Sequence, residues 1–138
     1  MRIFDKTVLT SPYGDTTFAI IKPDADPTTQ NKILQLIKEE GLTVLHIERT
    51  VLTPTQADAL YFEHIGKSFF PTLKEFMTGG QSVVMALQGP QAQKIWREKL
   101  MPRIRGEMRD PSSLPHQNLV HGSDCEKSAV YELLYFFG

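Results

Sequence analysis

The chain has 138 residues, 41% of them hydrophobic and 22% charged, enough to bury the core of one compact domain and too few for two. Fifteen basic residues against sixteen acidic ones leave a formal charge of -1, so no overall basic field favours nucleic acid and any anion site must be local. Cys125 is the single cysteine and cannot form an internal disulfide, and no apolar run has the length of a membrane span or a secretion signal, so a soluble, reducing compartment such as the cytoplasm is expected.

In chain order, Met1 to Asp15 reads as an N-terminal extension whose Arg2-Ile3-Phe4 and Thr7-Val8-Leu9 suit an added edge strand. Thr16 to Ile21, "TTFAII", is β-branched and aromatic, and Lys22-Pro23-Asp24 ends it, which predicts a first strand. Asp26-Pro27 is an N-cap and first-turn pair, Ile33, Leu34 and Ile37 recur at helical spacing, and Gly41 stops the helix. Leu42 to Leu52 is dense in β-branched residues and predicts a second strand. Thr53-Pro54 with Gln56 caps a short helix carrying Leu60, Tyr61 and Phe62. "GKSFFPTLKEFMTGG" is a loop entering a helix that ends at Gly79 and Gly80.

Residues 82 to 87, "SVVMAL", predict a third strand, and Gly89-Pro90 turns the chain into a helix bearing Ala92, Ile95, Trp96 and Leu100. Met101 to Pro115, with three prolines, reads as a polar loop. A short fourth strand is predicted around Asn118 to Val120, and Ser123 followed by Glu126 reads as a capping box for a last helix bearing Val130, Leu133, Leu134 and Phe137. This order describes an antiparallel sheet with helices packed on one face, a ferredoxin-like α+β fold.

His121 therefore stands at a strand-to-helix corner, in "NLVHGSD". An isolated histidine in a small domain is most often structural, but the neighbours here point elsewhere. Gly122 permits close backbone approach, and the helix start beyond it aims free N–H groups at whatever sits beside the imidazole. That is a place for an anion. A histidine with an ordinary pKa of about 6.5 is largely neutral near pH 7 and acts as a nucleophile without a separate base. A phosphorylated histidine satisfies both conditions.

Asn118-Leu119-Val120-His121-Gly122-Ser123-Asp124, with the upstream Thr17-Phe18-Ala19-Ile20-Ile21-Lys22-Pro23-Asp24, resembles the signature pair of the nucleoside diphosphate kinase family, and the likeness runs over roughly residues 16 to 137. The resemblance implies a ferredoxin-like βαββαβ fold, a four-stranded antiparallel sheet with helices packed around it, over a single domain spanning 1–138. It also implies a ping-pong reaction: a nucleoside triphosphate gives its γ-phosphate to the histidine, which passes it to a nucleoside diphosphate with Mg²⁺ assisting. The ion would be held mainly by the nucleotide phosphates rather than by protein ligands.

Residue by residue, the likeness makes His121 the nucleophile and Lys22 a cation near the transferring phosphate, and sets Asn118 with Lys22 on the ribose hydroxyls. Arg97 and Arg105 fall on the family's phosphate-gripping arginines, for which a bidentate guanidinium is suited, although Arg103 and Arg109 stand close by. Phe69 matches the aromatic that stacks on the base, with Leu73 beneath it, and stacking tolerates any base because every base has a π-face. Tyr61 matches the tyrosine near the histidine, and Ser123 and Glu132 match the pair that hydrogen-bonds around the imidazole and the lysine. The partners implied are nucleoside di- and triphosphates, with neither membrane nor specific nucleic acid, and a homo-oligomer built from dimers through the first helix and second strand, near Ile33 to Leu52.

The chain departs from the family between Arg97 and Asn118, where the connection is short and Arg103 stands in the register of a phosphate-contacting threonine. It also lacks a C-terminal tail after Phe137-Gly138, and trimer contacts are expected to be weak as a result. Two other readings are a catalytically weak nucleotide-binding regulator of the same fold and a ferredoxin-like RNA-binding module. The second calls for paired aromatics on central strands and a basic face, which the sequence does not offer.

Overall fold

The computed structural model describes residues 15–138, so the edge strand expected near residues 2–9 lies outside the described residues. Strand β1 (Asp15–Ile21) leads to helix α1 (Pro27–Glu39) and strand β2 (Thr43–Thr50), then to helix α2 (Pro54–Leu60), a 3₁₀ turn (Phe62–His64) and helix α3 (Phe70–Thr78). Strand β3 (Ser82–Gly89) follows. Helix α4 (Ala92–Lys94), a π-helical segment (Ile95–Leu100) and helix α5 (Met101–Met108) then run on without a break, before strand β4 (Val120–Gly122) and helix α6 (Glu126–Phe137). The four strands form one antiparallel sheet in the order β2-β3-β1-β4, the ferredoxin-like arrangement the sequence implies.

Alternation along β1 sets the two faces of the sheet. Ala19 and Ile21 join Ile33, Ile37, Met85 and Trp96 in one core, while Phe18 and Ile20 join Leu73, Met77, Val84 and Leu133 in the other. Helices therefore cover both faces, not one: α1 and the helix from 92 to 108 on the first, α2, α3 and α6 on the second. A sheet whose central strands are apolar at every position, as β3 is in "VVMAL", has to be covered on both sides.

The caps predicted at Asp26 and at Thr53 form as read. Asp26 accepts from the Thr29 N–H at 2.7 Å, and Thr53 and Gln56 exchange side-chain and backbone bonds of 3.1 and 2.9 Å. No helix among the described residues is long and apolar enough to cross a membrane.

Three local readings need correction. Residues 101–108 are helix, not loop: Pro102 lies in the first turn of α5, where its missing N–H costs nothing, and the wider π turn before it carries Met101 N–H to the Trp96 carbonyl. Met101 and Ile104 are buried on that helix, so the segment is amphipathic despite its prolines and charges. Strand β4 begins at Val120, two residues later than predicted, because Leu119 takes a left-handed conformation (φ +72°) that no strand accepts. The Ser123–Glu126 capping box does not form. The last helix starts two residues further on, with Cys125 at its N-cap and no side-chain cap, and the Ser123 hydroxyl is used elsewhere.

Candidate active site

Among the described residues strand β4 is an edge of the sheet, paired only with β1, and it places His121 opposite Ile20 on the α6 side. Helix α6 presents Glu132 to it. His121 Nε2 lies 2.7 Å from Glu132 Oε1, and the Ser123 hydroxyl donates to Glu132 Oε2 at 2.5 Å. A carboxylate only accepts, so Nε2 carries the proton and Nδ1 keeps its lone pair. Serine and histidine thus share one buried carboxylate, and the ring is held in the tautomer a nucleophile requires. Tyr61 meets the imidazole edge to face at 5.6 Å, and its buried hydroxyl has no hydrogen-bond partner. Burial, reinforced by the charge of Glu132, pushes the Tyr61 phenol well above its ordinary range, so it is a neutral donor.

From the other face the backbone of β4 is held by its carbonyls. Trp96 Nε1–H donates to the His121 carbonyl at 3.0 Å, Arg97 to that of Gly122 at 3.2 Å, and Arg105 to those of Asn118 and Val120 at 3.3 and 2.9 Å. Gly122 is required by this approach: a Cβ there would lie 2.6 Å from Trp96 Cδ1 and 2.7 Å from Met101 Sδ. Just upstream, the Val120 N–H reaches back to the Asn118 carbonyl at 2.9 Å around Leu119, a γ-turn of the rare, strained kind. Lys22 N–H to Leu119 O (2.7 Å) and Leu119 N–H to Asp24 Oδ2 (3.2 Å) pin the turn from β1.

Lys22 is buried, 6% exposed, with Nζ donating to Asn118 Oδ1 at 2.7 Å. Burial, with help from the Arg105 charge and against that of Asp24, brings its pKa down to about 8. Asp24 itself is pushed up by burial despite the backbone N–H groups that favour its charged form.

A cleft of about 540 Å³ opens over this corner, and Tyr61, Arg97, Arg105, His121 and Glu132 line it together. Arg97 is tied to Asp124 at 2.8 Å, an exposed pair of the kind a phosphate displaces readily. Arg105 is half-buried, its pKa lowered by burial and then by the charges of Arg97 and Arg109. Of the three neighbouring arginines, Arg105 faces the cleft; Arg103 pairs with Glu107 on an exposed face, and Arg109 donates to the Gln117 and Leu114 carbonyls. Arg103, in the register of the missing threonine, is not on the cleft lining.

Lys22 and Asn118 sit behind the cleft rather than on its lining, joined to it through the Arg105 bond to the Asn118 carbonyl. Ser123 and Glu132 serve the imidazole but make no bond to Lys22, which turns to Asn118 and, at 3.5 Å, the His116 carbonyl. Phe69 is 49% exposed while Phe70 is buried, so one of the two adjacent rings does face outward. Phe69 reaches the cleft only through His64, whose ring is 5.1 Å from it and 5.9 Å from Tyr61. Leu73 is buried in the core beneath.

The sequence does not single out His64, which lines the cleft with a buried Nδ1 that lacks a partner, nor does it show that Trp96, expected on a helix, and Arg109, expected near the phosphates, bond backbone carbonyls. His64 lies within three residues of Tyr61, the one local signal that could have raised it. No group of three or more His, Cys, Asp or Glu among the described residues is placed to hold a metal ion.

The nucleoside diphosphate kinase family model matches residues 15–138. The nucleoside diphosphate kinase of Oleidesulfovibrio alaskensis is 39% identical over 132 residues, covering 90% of this chain and 94% of its own. That of Actinobacillus pleuropneumoniae serotype 3 is 40% identical over 131 residues, with 88% and 93% covered. A crystal structure of the Aquifex aeolicus nucleoside diphosphate kinase superposes with a TM-score of 0.77 at 30% identity, over 89% of this chain and 94% of that one. With a histidine, a carboxylate and two arginines converging on the strand-to-helix corner, the chain belongs to the nucleoside diphosphate kinase family.

Proposed function

We propose that His121 is the phosphoryl carrier of this kinase. Its Nδ1 attacks the γ-phosphorus of a nucleoside triphosphate, the P–N bond forms as the bond to the β–γ bridging oxygen breaks, and the nucleoside diphosphate leaves with that oxygen. A second nucleoside diphosphate then attacks the phosphohistidine through a terminal phosphate oxygen and restores the free imidazole. The observation that carries this reading is the 2.7 Å contact between His121 Nε2 and Glu132, which leaves Nδ1 as the only ring nitrogen able to attack. Glu132 and Ser123 orient the ring and offset its growing positive charge.

Arg97 and Arg105 bind the phosphates, and Lys22 stabilises the charge spread over the transferring group. The Tyr61 hydroxyl, buried and unpartnered, donates to a phosphate oxygen. Asn118 and Lys22 contact the ribose hydroxyls, and Phe69 stacks on the base above Leu73, which gives broad base tolerance. The donor set also bears on the metal. Asp124 is engaged with Arg97, and Glu132 with His121 and Ser123, so the cleft suits a Mg²⁺ that arrives on the nucleotide phosphates as part of the substrate.

The β2 edge, with Leu45, Ile47 and nearby Val51 exposed, suits pairing with its twofold copy, which supports a dimer as the minimal unit with each site inside one subunit. A cytoplasmic location fits the reduced Cys125. The position of Arg105 in the cleft, despite the short connection, favours an enzyme over a binding-only regulator.

Incubation with ATP labelled in its γ-phosphate tests the assignment. The protein should acquire a label that acid removes and base does not, and His121→Ala should acquire none while its circular dichroism spectrum is unchanged. Labelling of a folded His121→Ala protein would overturn it.

A further inference from the structure

The cleft contains a second aromatic surface that the transfer reaction does not use. Phe62 and Tyr131 line it, 56% and 44% exposed, with their rings edge to face at 5.9 Å. Tyr131 is held in place. The Tyr131 hydroxyl donates to the Ala59 carbonyl at 3.3 Å, which ties α6 to α2, and Tyr135 stacks behind Tyr131 at 6.3 Å. Two rings at the mouth of a cleft are a surface on which a planar group stacks, and although Glu63, Asp124 and Glu132 share the lining, Asp124 is engaged by Arg97 and Glu132 by His121, so Arg105 and Lys127 favour a planar group that comes attached to phosphate. Phe69, proposed above for the base of the reacting nucleotide, is off that lining and reaches it through His64. One cleft thus has an aromatic platform on the lining, beside the arginines and His121, and another at its margin.

We propose that Phe62 and Tyr131 form a second base site and that the ligand engaging both platforms is a dinucleoside polyphosphate, two bases joined through one chain of phosphates. The proposal rests on the phosphate-transfer reading of the cleft and extends it. Joining the two bases makes the second stacking contact intramolecular, so such a ligand gains affinity over a mononucleotide with no new cation needed. Both ends of its phosphate chain are esterified, so it has no terminal phosphoryl group to hand to His121. It acts as an inhibitor that competes with nucleoside triphosphates.

The test uses the full chain and diadenosine tetraphosphate as competitor in the γ-labelled ATP assay. Inhibition should set in at concentrations about tenfold or more below those at which ADP inhibits, since one stacked base contributes roughly a 5- to 150-fold change in binding. Phe62→Ala and Tyr131→Ala should each weaken that inhibition about tenfold while ATP labelling stays within about twofold of the parent, and Tyr131→Phe should retain most of the effect. Inhibition no tighter than that of ADP, or unchanged in both alanine variants, overturns the proposal. So does a parallel loss of ATP labelling, which would give the platform to the ordinary substrate, or a change of oligomeric mass with inhibition unaltered, which would make it a subunit contact. Calorimetric titration of His121→Ala with the same compound separates the two readings: binding that still depends on Phe62 and Tyr131 upholds the second site even if labelling by ATP fails.

Discussion

Strand β4 is gripped in different ways from its two faces. On the α6 side the contacts run from side chain to side chain, His121 and Ser123 on the two oxygens of Glu132. On the side of the helix from 92 to 108 they run from side chains to main-chain carbonyls: Trp96 on His121, Arg97 on Gly122, Arg105 on Asn118 and Val120. The first set depends on which residues the strand carries and fixes the tautomer. The second depends only on where the backbone runs and fixes its position. Changes on the α6 side should therefore appear in the chemical step, and changes on the opposite side in stability and substrate binding.

Lys22 holds the side chain of Asn118, whose main-chain carbonyl Arg105 grips, and the largest effect after loss of His121 itself is expected there. Lys22→Met should lower kcat by several hundredfold, about 3 to 4 kcal/mol for one removed transition-state donor. In the parent protein, burial brings this group down to about 8, so kcat/KM should fall as pH rises through about 8 and the cation is lost. Stability should move in the opposite sense. The unfolded chain keeps the lysine protonated up to its ordinary value of 10.5, so between about 8 and 10.5 this group favours the folded state increasingly as pH rises. A stopped-flow pH series alongside thermal melts would show falling activity without unfolding; an alkaline limb that persists in Lys22→Met would assign it to another group.

Next comes the α6 side. Glu132→Gln keeps the shape but cannot accept from both Nε2–H and the Ser123 hydroxyl, so one charge-assisted hydrogen bond is lost and the ring tautomer is less strictly fixed. The rate of phosphohistidine formation should fall about 10- to 100-fold with little change in the melting temperature. A melting temperature that collapses while the rate per folded molecule holds would reverse the assignment of roles to the two sides.

Gly122→Ala probes the opposite side. Its Cβ would meet the buried side chains of Trp96 and Met101 at 2.6 and 2.7 Å, so either the strand or the helix must shift. A loss of about 1 to 3 kcal/mol in denaturant unfolding is expected, with a smaller effect on the labelling rate of the protein that remains folded.

The two sides also differ in how far the sequence revealed them. His121 is legible from its own neighbours and Ser123 and Glu132 through the family signature, because chemistry-bearing side chains show in residue identity, and the β-branched and apolar runs of β1 and β3 make the sheet plain. Contacts to carbonyls leave no such signature. Nothing in "QNLVHG" tells which backbone oxygens will be gripped, or that Leu119 will turn left-handed, because those outcomes depend on a helix some twenty residues upstream. That helix was itself hidden: the prolines of 101–115 read as loop, since Pro102 marks a first turn only once the π turn before it is known. Ser123 misled in the opposite way. Its spacing to Glu126 fits a cap, but a buried carboxylate at Glu132 competes for the same hydroxyl and wins, as a charged acceptor should over a backbone N–H that water can reach.

The mildest change tests the comparison most closely, because Arg109 touches neither the histidine nor the cleft. Its guanidinium spans the Gln117 and Leu114 carbonyls at 3.2 and 2.9 Å, closing the short connection that leads into Asn118. Asn118 in turn accepts from Lys22, and the neighbouring His116 carbonyl lies 3.5 Å from the same ammonium. Loosening residues 114–117 should let Asn118 and Lys22 drift while the His121–Glu132 pair, held from α6, stays in place. Arg109→Ala should therefore raise KM for nucleoside diphosphates about fivefold, near 1 kcal/mol for partly exposed hydrogen bonds, with kcat within about twofold. Arg109→Lys should recover only part of the loss, since an ammonium cannot span both carbonyls as the planar guanidinium does. Steady-state kinetics on the two variants decide it: a fall in kcat at unchanged KM would mean that the backbone side also sets the chemical step, and the division between the two faces of β4 would not hold.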